Sequence, residues 1–472
     1  MTDSDAIAAL SRLAHQGVLV VGDAMLDRTV FGAVARVSPE APVPVLAIER
    51  ELAVPGGAGN LVRNLCALGA AVALVAVVGD DAAGAELTGL IGGQPGVEPW
   101  LVVQGGRLTT VKTRFVGAAH HGEAQILLRA DTDDASPVHP RIAERVLRIA
   151  RDAMAATSVV VLSDYRKGVL EGEIAPALVA AARATGRTVL ANVHGGELAR
   201  YAGVDVLVPS VPVLAAESGM DVTQPGALAA ACAALRERLG VGAVAALMPG
   251  EGLMLADAAA STLLRVAEGE RLDVAGVEDS VTAALAGGLA AQLPIGDAAR
   301  LAALAAGVVL GRAGTAVARA GDLRAAASPL QGAMARIVSA EAAAARVERW
   351  RRDGRRIGFV AGGFDGLRLG HTHLLEQARA TCERLVVGLA SDASLRRRKG
   401  HGRPREPEVV RAARLASLDS VDLVVIAAGE GDPAEELVGL LRPDVMVGGP
   451  ERAAPRDFAG EVVKAQRLAE PA

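Results

Sequence analysis

The residues Asp273-Val274-Ala275-Gly276-Val277-Glu278-Asp279-Ser280 run straight into an apolar helical pattern from Val281 to Leu293. A glycine-containing loop that opens a helix presents unpaired backbone N–H groups and the positive end of the helix dipole. That combination suits a phosphate. Asp279, held at such a place, can take the proton of a hydroxyl as that hydroxyl attacks the phosphate. Asp27, Gly56, Gly57 and Asn60 form a second set, a carboxylate and an amide able to hold hydroxyls beside glycines that let the backbone come close. Asp27 alone also reads as a helix cap or a solvated turn residue. Lys112 and Arg114 are cations suited to a phosphate already carried by the substrate.

The elements that must position these residues alternate between strand and helix. Val18 to Val21, Val72 to Val78, Val159 to Leu162 and Thr188 to Ala191 read as buried strands. Helical patterns cover Ile142 to Ala155 and Ile174 to Ala182, and Pro55 to Asn60 opens a helix with Leu61, Leu65 and Leu68 on one face. This alternation predicts a mostly parallel sheet covered on both faces, with ligands at the C-terminal ends of its strands, where Gly22-Asp23 and Gly79-Asp80-Asp81 fall. The closely spaced prolines of Arg36 to Val45 argue against helix and suit edge strands or a lid. After Leu310 the pattern weakens, and Glu341 to Arg352 reads as a charged connecting helix. A new unit starts at Arg356, with strands near 357–360, 384–389 and 422–427, a final strand near 444–447, and helices near 371–382 and 407–418. The expected domains are therefore 1–330 and 356–472, joined by a helical linker over 331–355.

Composition bounds the rest. A chain of 472 residues suits two or three domains, and 51% hydrophobic residues provide ample core. The net charge of −5 gives no support for broad nucleic-acid binding. Cys66, Cys232 and Cys382 are far apart with no metal spacing, and read as buried free thiols in a reducing compartment. The first residues are acidic where a secretion signal is basic, and no run of about 18 apolar residues occurs, so a cytoplasmic location away from membranes is expected.

Four blocks in this order are specific: Val20 to Arg28, Arg36 to Val45, Pro55 to Asn60, and Leu162-Ser163-Asp164-Tyr165-Arg166-Lys167-Gly168. Residues 18–330 resemble the ribokinase-like (PfkB) carbohydrate kinases. Gly363-Phe364-Asp365-Gly366-Leu367-Arg368-Leu369-Gly370-His371, between a strand and a helix, resembles the HxGH loop of cytidylyltransferase-like nucleotidyltransferases. The whole chain is similar to the bifunctional heptose 7-phosphate kinase/heptose 1-phosphate adenylyltransferases of lipopolysaccharide-core synthesis. The resemblance implies an α/β fold: a ribokinase-like doubly wound sheet with a small β lid, then a Rossmann-like nucleotidyltransferase domain. It implies Asp279 and His371 as catalytic residues and Asp27, Gly56, Gly57, Asn60, Lys112 and Arg114 as substrate-binding. Gly276, Ser210, Phe364, Asp365, Arg368, Gly370, Lys399 and Arg411 follow as nucleotide- or phosphate-binding, the basic run Ser391 to Gly400 being a phosphate-gripping loop. ATP and Mg2+ are the implied cofactors, with no protein metal ligand assigned, and the implied partners are a sugar phosphate and a second copy of the chain.

The chain departs from the family pattern at several places. Glu278 stands where the signature loop has its second glycine. A carboxylate there repels developing phosphoryl charge by about 1–4 kcal/mol, so Glu278→Gly is expected to raise kinase activity. On the nucleotide side stand Val208-Pro209-Ser210-Val211-Pro212-Val213, Asn192-Val193-His194 and Met248-Pro249-Gly250. In the second unit Arg368 replaces the first histidine, Val447-Gly448-Gly449 lacks a lysine, and a Ser-Thr-Thr segment is absent from the end, Val462 to Arg467 and a short tail. Two alternatives follow: a catalytically impaired relative that binds a sugar phosphate or a partner, and a kinase with an inactive C-terminal domain.

Overall fold

The computed structural model describes residues 3–118, 125–224, 226–248, 252–266, 276–310, 312, 315–327, 333–400, 402–429, 431–448, 455 and 458–465. Asp273 to Ala275, Pro249, Gly250, Gly449, Gln466 and Arg467 lie outside them. The chain forms two compact units, Met1–Arg324 and Ala325–Ala472.

The first unit's strands are β1 (Gly17–Gly22), β2 (Ala24–Val37), β3 (Pro44–Gly57), β4 (Ala71–Gly79), β5 (Val97–Gln104), β6 (Val111–Ala118), β7 (Gln125–Thr132), β8 (Thr157–Asp164), β9 (Thr188–Val193), β10 (Val206–Pro209), β11 (Ala243–Met248), β12 (Gly252–Ala256) and β13 (Ser261–Leu264). Nine of them make one sheet in the order β13-β12-β11-β10-β9-β8-β1-β4-β5, parallel except where β12 meets β11 and β13. Its inner strands are near-continuous Val, Leu and Ala because helices bury both faces. One face packs on the helices Pro140–Met154, Ile174–Ala184 and Ala227–Leu239. Toward the other lie Ala58–Leu68, Val277–Ala290 and Ile295–Leu310. Small residues let these last two helices approach closely, for a Cβ on Gly288 would come within 2.7 Å of the Ala298 methyl. The remaining four strands form the expected lid, in the order β3-β2-β6-β7.

Two expectations change here. The helix after the signature loop starts at Val277, four residues earlier than its apolar pattern, so Glu278 and Asp279 lie in its first turn. The acidic residues after β1 and β4 serve the scaffold: Asp23 accepts the N–H groups of Tyr165, Lys167 and Val169, and Asp81 caps the helix Ala82–Gly92.

The second unit holds β14 (Ile337–Val338), β15 (Ile357–Gly362), β16 (Arg384–Leu389), β17 (Leu423–Ile426), β18 (Val445–Gly448) and β19 (Glu461–Lys464). They form one parallel sheet in the order β14-β17-β16-β15-β18-β19. The segment expected to link the units belongs to this one. Ser339 caps the helix Ala340–Arg352, whose Ala343, Val347 and Trp350 are buried against Phe359, Leu437 and Met446, while β14 pairs with β17. Its charged face hid a three-residue apolar seam. β18 is not the last strand either: β19 follows as a short edge whose mostly exposed residues carry little pattern. Among the described residues all three cysteines are free, with Cys232 buried and Cys66 and Cys382 half-buried rather than buried. No described helix is long and apolar enough to cross a membrane.

Candidate active sites

Asp279 is buried, and three segments of the first unit supply its surroundings. The helix Val277–Ala290 begins at Gly276, whose φ of 75° is left-handed. A Cβ at Gly276 would lie 2.6 Å from the Asn60 amide nitrogen, so only glycine lets the loop close on that side chain. Asn60, in the first turn of Ala58–Leu68, donates to Asp279 Oδ2 at 2.8 Å. Arg63 donates to the Asn60 carbonyl oxygen at 3.2 Å, which fixes the orientation of the amide. From the end of β8, Tyr165 donates its hydroxyl to Asp279 Oδ1 at 2.6 Å. Burial raises the Asp279 carboxyl to about 6 against the lowering effect of these two donors. It is a base that ionises just below neutrality.

The lid contributes the substrate side. Asp27 on β2 lies in register with Lys112 on β6, two residues before the register pair Thr29 and Arg114. Arg114 is 3.6 Å from Asp27 Oδ1, an oxygen with no hydrogen-bond partner among the described residues. Burial raises the Asp27 carboxyl while Arg114, Lys112 and Arg129 pull it back. A buried acceptor left open beside two cations is what a hydroxylated, phosphorylated ligand would complete. A Cβ on Gly56 would lie 2.6 Å from Asp27 Oδ2, and Gly57 takes φ 56° with its Cβ direction 2.5 Å from the Asp23 carbonyl oxygen. Both glycines are therefore required to seat Asp27 and turn into the helix. Ser210 follows β10 and precedes the helix Val211–Ser218 without its side chain bonding the helix's backbone N–H groups.

Glu278 does not simply confront a phosphate. Its Oε2 lies 3.1 Å from His194 Nδ1, at the end of β9. Burial and the neighbouring Asp279 push the Glu278 carboxyl up to about 7, and burial, with the charge of Lys112, drops His194 to about 3. The imidazole is neutral. The His194 ring stacks on Tyr165 at 3.9 Å. Tyr165, His194, Arg63 and Asp23 are functional neighbours that sequence reasoning missed. Tyr165 lay inside a quoted motif, but its partners come from strands far apart in the chain.

In the second unit a cavity of about 180 Å³ is lined by Gly362, Gly363, Phe364, His371, Leu374, Val447 and Gly448. His371 sits in the first turn of Leu369–Ala380, and its Nδ1 accepts the Arg368 backbone N–H at 3.1 Å. With Nδ1 occupied as an acceptor, the neutral ring carries its proton on Nε2, where it can be offered to a phosphate oxygen. Burial, Arg368 and Lys399 all lower the His371 pKa and keep the ring neutral. The Phe364 ring meets His371 edge-on at 5.4 Å. A Cβ on Gly370 would meet open space, so its backbone is approachable.

Three sequence-derived roles change here. Arg411 is fully buried and binds the carbonyl oxygens of Gly363, Ala390 and Glu406 and the Asp392 carboxylate. It holds loops together, because four of its five N–H directions are spent on the protein. Asp365 is likewise committed, to Arg403 at 2.6 Å and the Arg405 N–H at 2.7 Å. The basic run is not a loop: Asp392–Lys399 is a helix capped by Ser391, its acid in the first turn and its cations in the last, as the dipole favours. Lys399 is exposed at its end.

A ribokinase-like unit with a buried carboxylate in a helix first turn, and a Rossmann-like unit with a histidine at another, fit a kinase joined to a nucleotidyltransferase. Residues 15–320 match the pfkB family of carbohydrate kinases, and residues 359–464 match the cytidylyltransferase-like family. The bifunctional protein HldE of Acidiphilium cryptum is 52% identical over 447 residues, spanning 95% of this chain and 90% of that protein. The HldE of Rhodospirillum rubrum is 44% identical, spanning 98% and 93%. The solved structure of phosphofructokinase-2 from Escherichia coli, in complex with substrates and products, shares the first unit's fold with a TM-score of 0.56 at 16% identity, covering 66% of this chain and 98% of that one. The chain belongs to the pfkB carbohydrate-kinase family and, over nearly its whole length, to the family of bifunctional HldE proteins. It is an enzyme with a kinase unit and a nucleotidyltransferase unit.

Proposed function

We propose that the first unit transfers the γ-phosphate of ATP to the anomeric hydroxyl of heptose 7-phosphate, and that the second joins AMP to the resulting heptose 1-phosphate, giving ADP-heptose for lipopolysaccharide core. In the first step Asp279 takes the hydroxyl proton, the anomeric oxygen forms its bond to the γ-phosphorus, and ADP leaves. Asp27 and Asn60 hold sugar hydroxyls, and Lys112 and Arg114 meet the 7-phosphate. In the second step an oxygen of the sugar 1-phosphate attacks the α-phosphorus of a second ATP and pyrophosphate leaves. His371 Nε2–H, Arg368 and Lys399 offset charge on the phosphates.

The observation that carries the reading is the placement of Asp279 against Asn60, close to Asp27, which keeps a buried oxygen open beside Lys112 and Arg114. Among the described residues no three His, Cys, Asp or Glu side chains could together hold a metal ion. Mg2+ is read as the nucleotide's companion, offsetting phosphate charge. A cytoplasmic location follows from ATP as substrate. The exposed Ile48, Leu52, Ile126 and Leu128 of the lid sheet support a homodimer through that sheet, which sedimentation of the full chain tests.

The deciding experiment follows ADP release with ATP, Mg2+ and heptose 7-phosphate, beside calorimetric titration of each ligand. Asp279→Asn is expected to cut kcat by at least about a thousandfold while the sugar phosphate still binds, and chelating Mg2+ is expected to abolish turnover. Sugar binding without ATP binding or turnover in the unmodified protein would instead establish the impaired relative.

A further inference from the structure

We propose that Tyr165 is the positioning residue for the Asp279 base, and that Glu278 and His194 hold Tyr165 in place from behind. The inference rests on the kinase reading above and gives a task to two residues that depart from the family pattern.

The contacts form a continuous chain. Glu278 Oε2 is 3.1 Å from His194 Nδ1, the His194 ring stacks on Tyr165 at 3.9 Å with 16° between planes, and the Tyr165 hydroxyl donates to Asp279 Oδ1 at 2.6 Å. Tyr165 is also fixed through its backbone, whose N–H donates to the buried Asp23 carboxylate at 2.8 Å. The Lys112 ammonium lies 5.4 Å from the centroid of its ring. A phenol with its backbone pinned and its ring stacked has few ways to move its hydroxyl, so the donor is preorganised on the base. His194 Nε2 has no hydrogen-bond partner among the described residues, and on its other side Nδ1 faces Glu278 Oε2 at 3.1 Å. Two departures from the family pattern, Glu278 and His194, thus meet each other.

Every neighbouring element contributes to the charge around Asp279. Asp27 stands on β2, Lys112 and Arg114 on β6, Asn60 and Arg63 on the helix Ala58–Leu68, Tyr165 after β8, His194 after β9, and Glu278 on the base's own helix. Of these, Tyr165 and Asn60 bond the carboxylate directly. Donors to a carboxylate favour its charged form, so losing the phenol should make the base harder to ionise.

The test is the pH profile of sugar phosphorylation by Tyr165→Phe, which keeps the stacked ring and removes the donor. The acid limb of kcat is expected to move up by about one pH unit, a roughly fivefold deficit at pH 6 that largely closes by pH 8.5. The KM for heptose 7-phosphate should stay within about twofold. His194→Ala and Glu278→Gly should shift the limb the same way by less, with His194→Phe and Glu278→Gln restoring it. A fall with Glu278→Gly reverses the expectation drawn from sequence. A deficit equal at every pH, or no deficit, overturns the inference while leaving the kinase reading intact. Carbon-13 NMR of labelled aspartate, with Asp279→Asn assigning the signal, reads the same titration in the free protein without turnover. An Asp279 titration unmoved by Tyr165→Phe overturns the inference. Full kinase activity in Asp279→Asn would overturn the kinase reading instead.

Discussion

Asp279 and Arg411 are both buried ionisable side chains near a helix N-terminus, one in each unit. Asp279 accepts two hydrogen bonds, one on each oxygen, and among the described residues keeps acceptor capacity on both. Arg411 spends its donors on three backbone carbonyls and Asp392. Burial of a charge is costly in either case, and the protein meets the cost differently. Around Asp279 the cost appears as a raised pKa, which suits a base. Around Arg411 it is met by four hydrogen bonds to the protein, which suits a strut. Burial by itself therefore does not mark a reacting group. The capacity left over after the protein's own contacts does.

The strongest way to break this comparison is Arg411→Ala. Removing a buried arginine that holds three carbonyls and a half-buried carboxylate should cost about 3–5 kcal/mol, read as a lower unfolding midpoint of the second unit in the full chain. If the second unit keeps its midpoint and loses only nucleotide affinity, Arg411 is a ligand residue after all. Next is Gly276→Ala. Forcing a side chain into a left-handed φ of 75° and against the Asn60 amide should cost about 1–3 kcal/mol, and kinase kcat should fall at least about tenfold because the base loses its second donor. The smallest effect belongs to Lys399→Ala. This exposed cation should change stability by less than about 0.5 kcal/mol and raise the transferase KM for ATP a few-fold, with kinase kinetics unchanged.

Most of the scaffold was legible. Val18 to Val21 and Val159 to Leu162 are continuous apolar runs because their sheet is covered on both faces, and Leu61, Leu65 and Leu68 mark the buried side of their helix. Asp27, Asn60 and Asp279 could be assigned to one site because the resemblance carried all three. What escaped was the neighbourhood. Tyr165, His194 and Asp23 meet only because β8 lies between β1 and β9, a fact of strand order rather than of local pattern. Glu278 looked like a repulsive intruder because its partner stands on another strand. The helix Asp392–Lys399 was missed because four consecutive cations erase apolar periodicity, leaving its Ser391 cap as the one local sign.

The inner strand β1 pairs on one side with β4 and on the other with β8, where Val18 meets Val159. During synthesis that second edge stays open until the lid and a long helix have been made. For this interval the nascent chain carries an exposed apolar ribbon, and its yield in a cell should depend on how well chaperones shield that ribbon before β8 arrives.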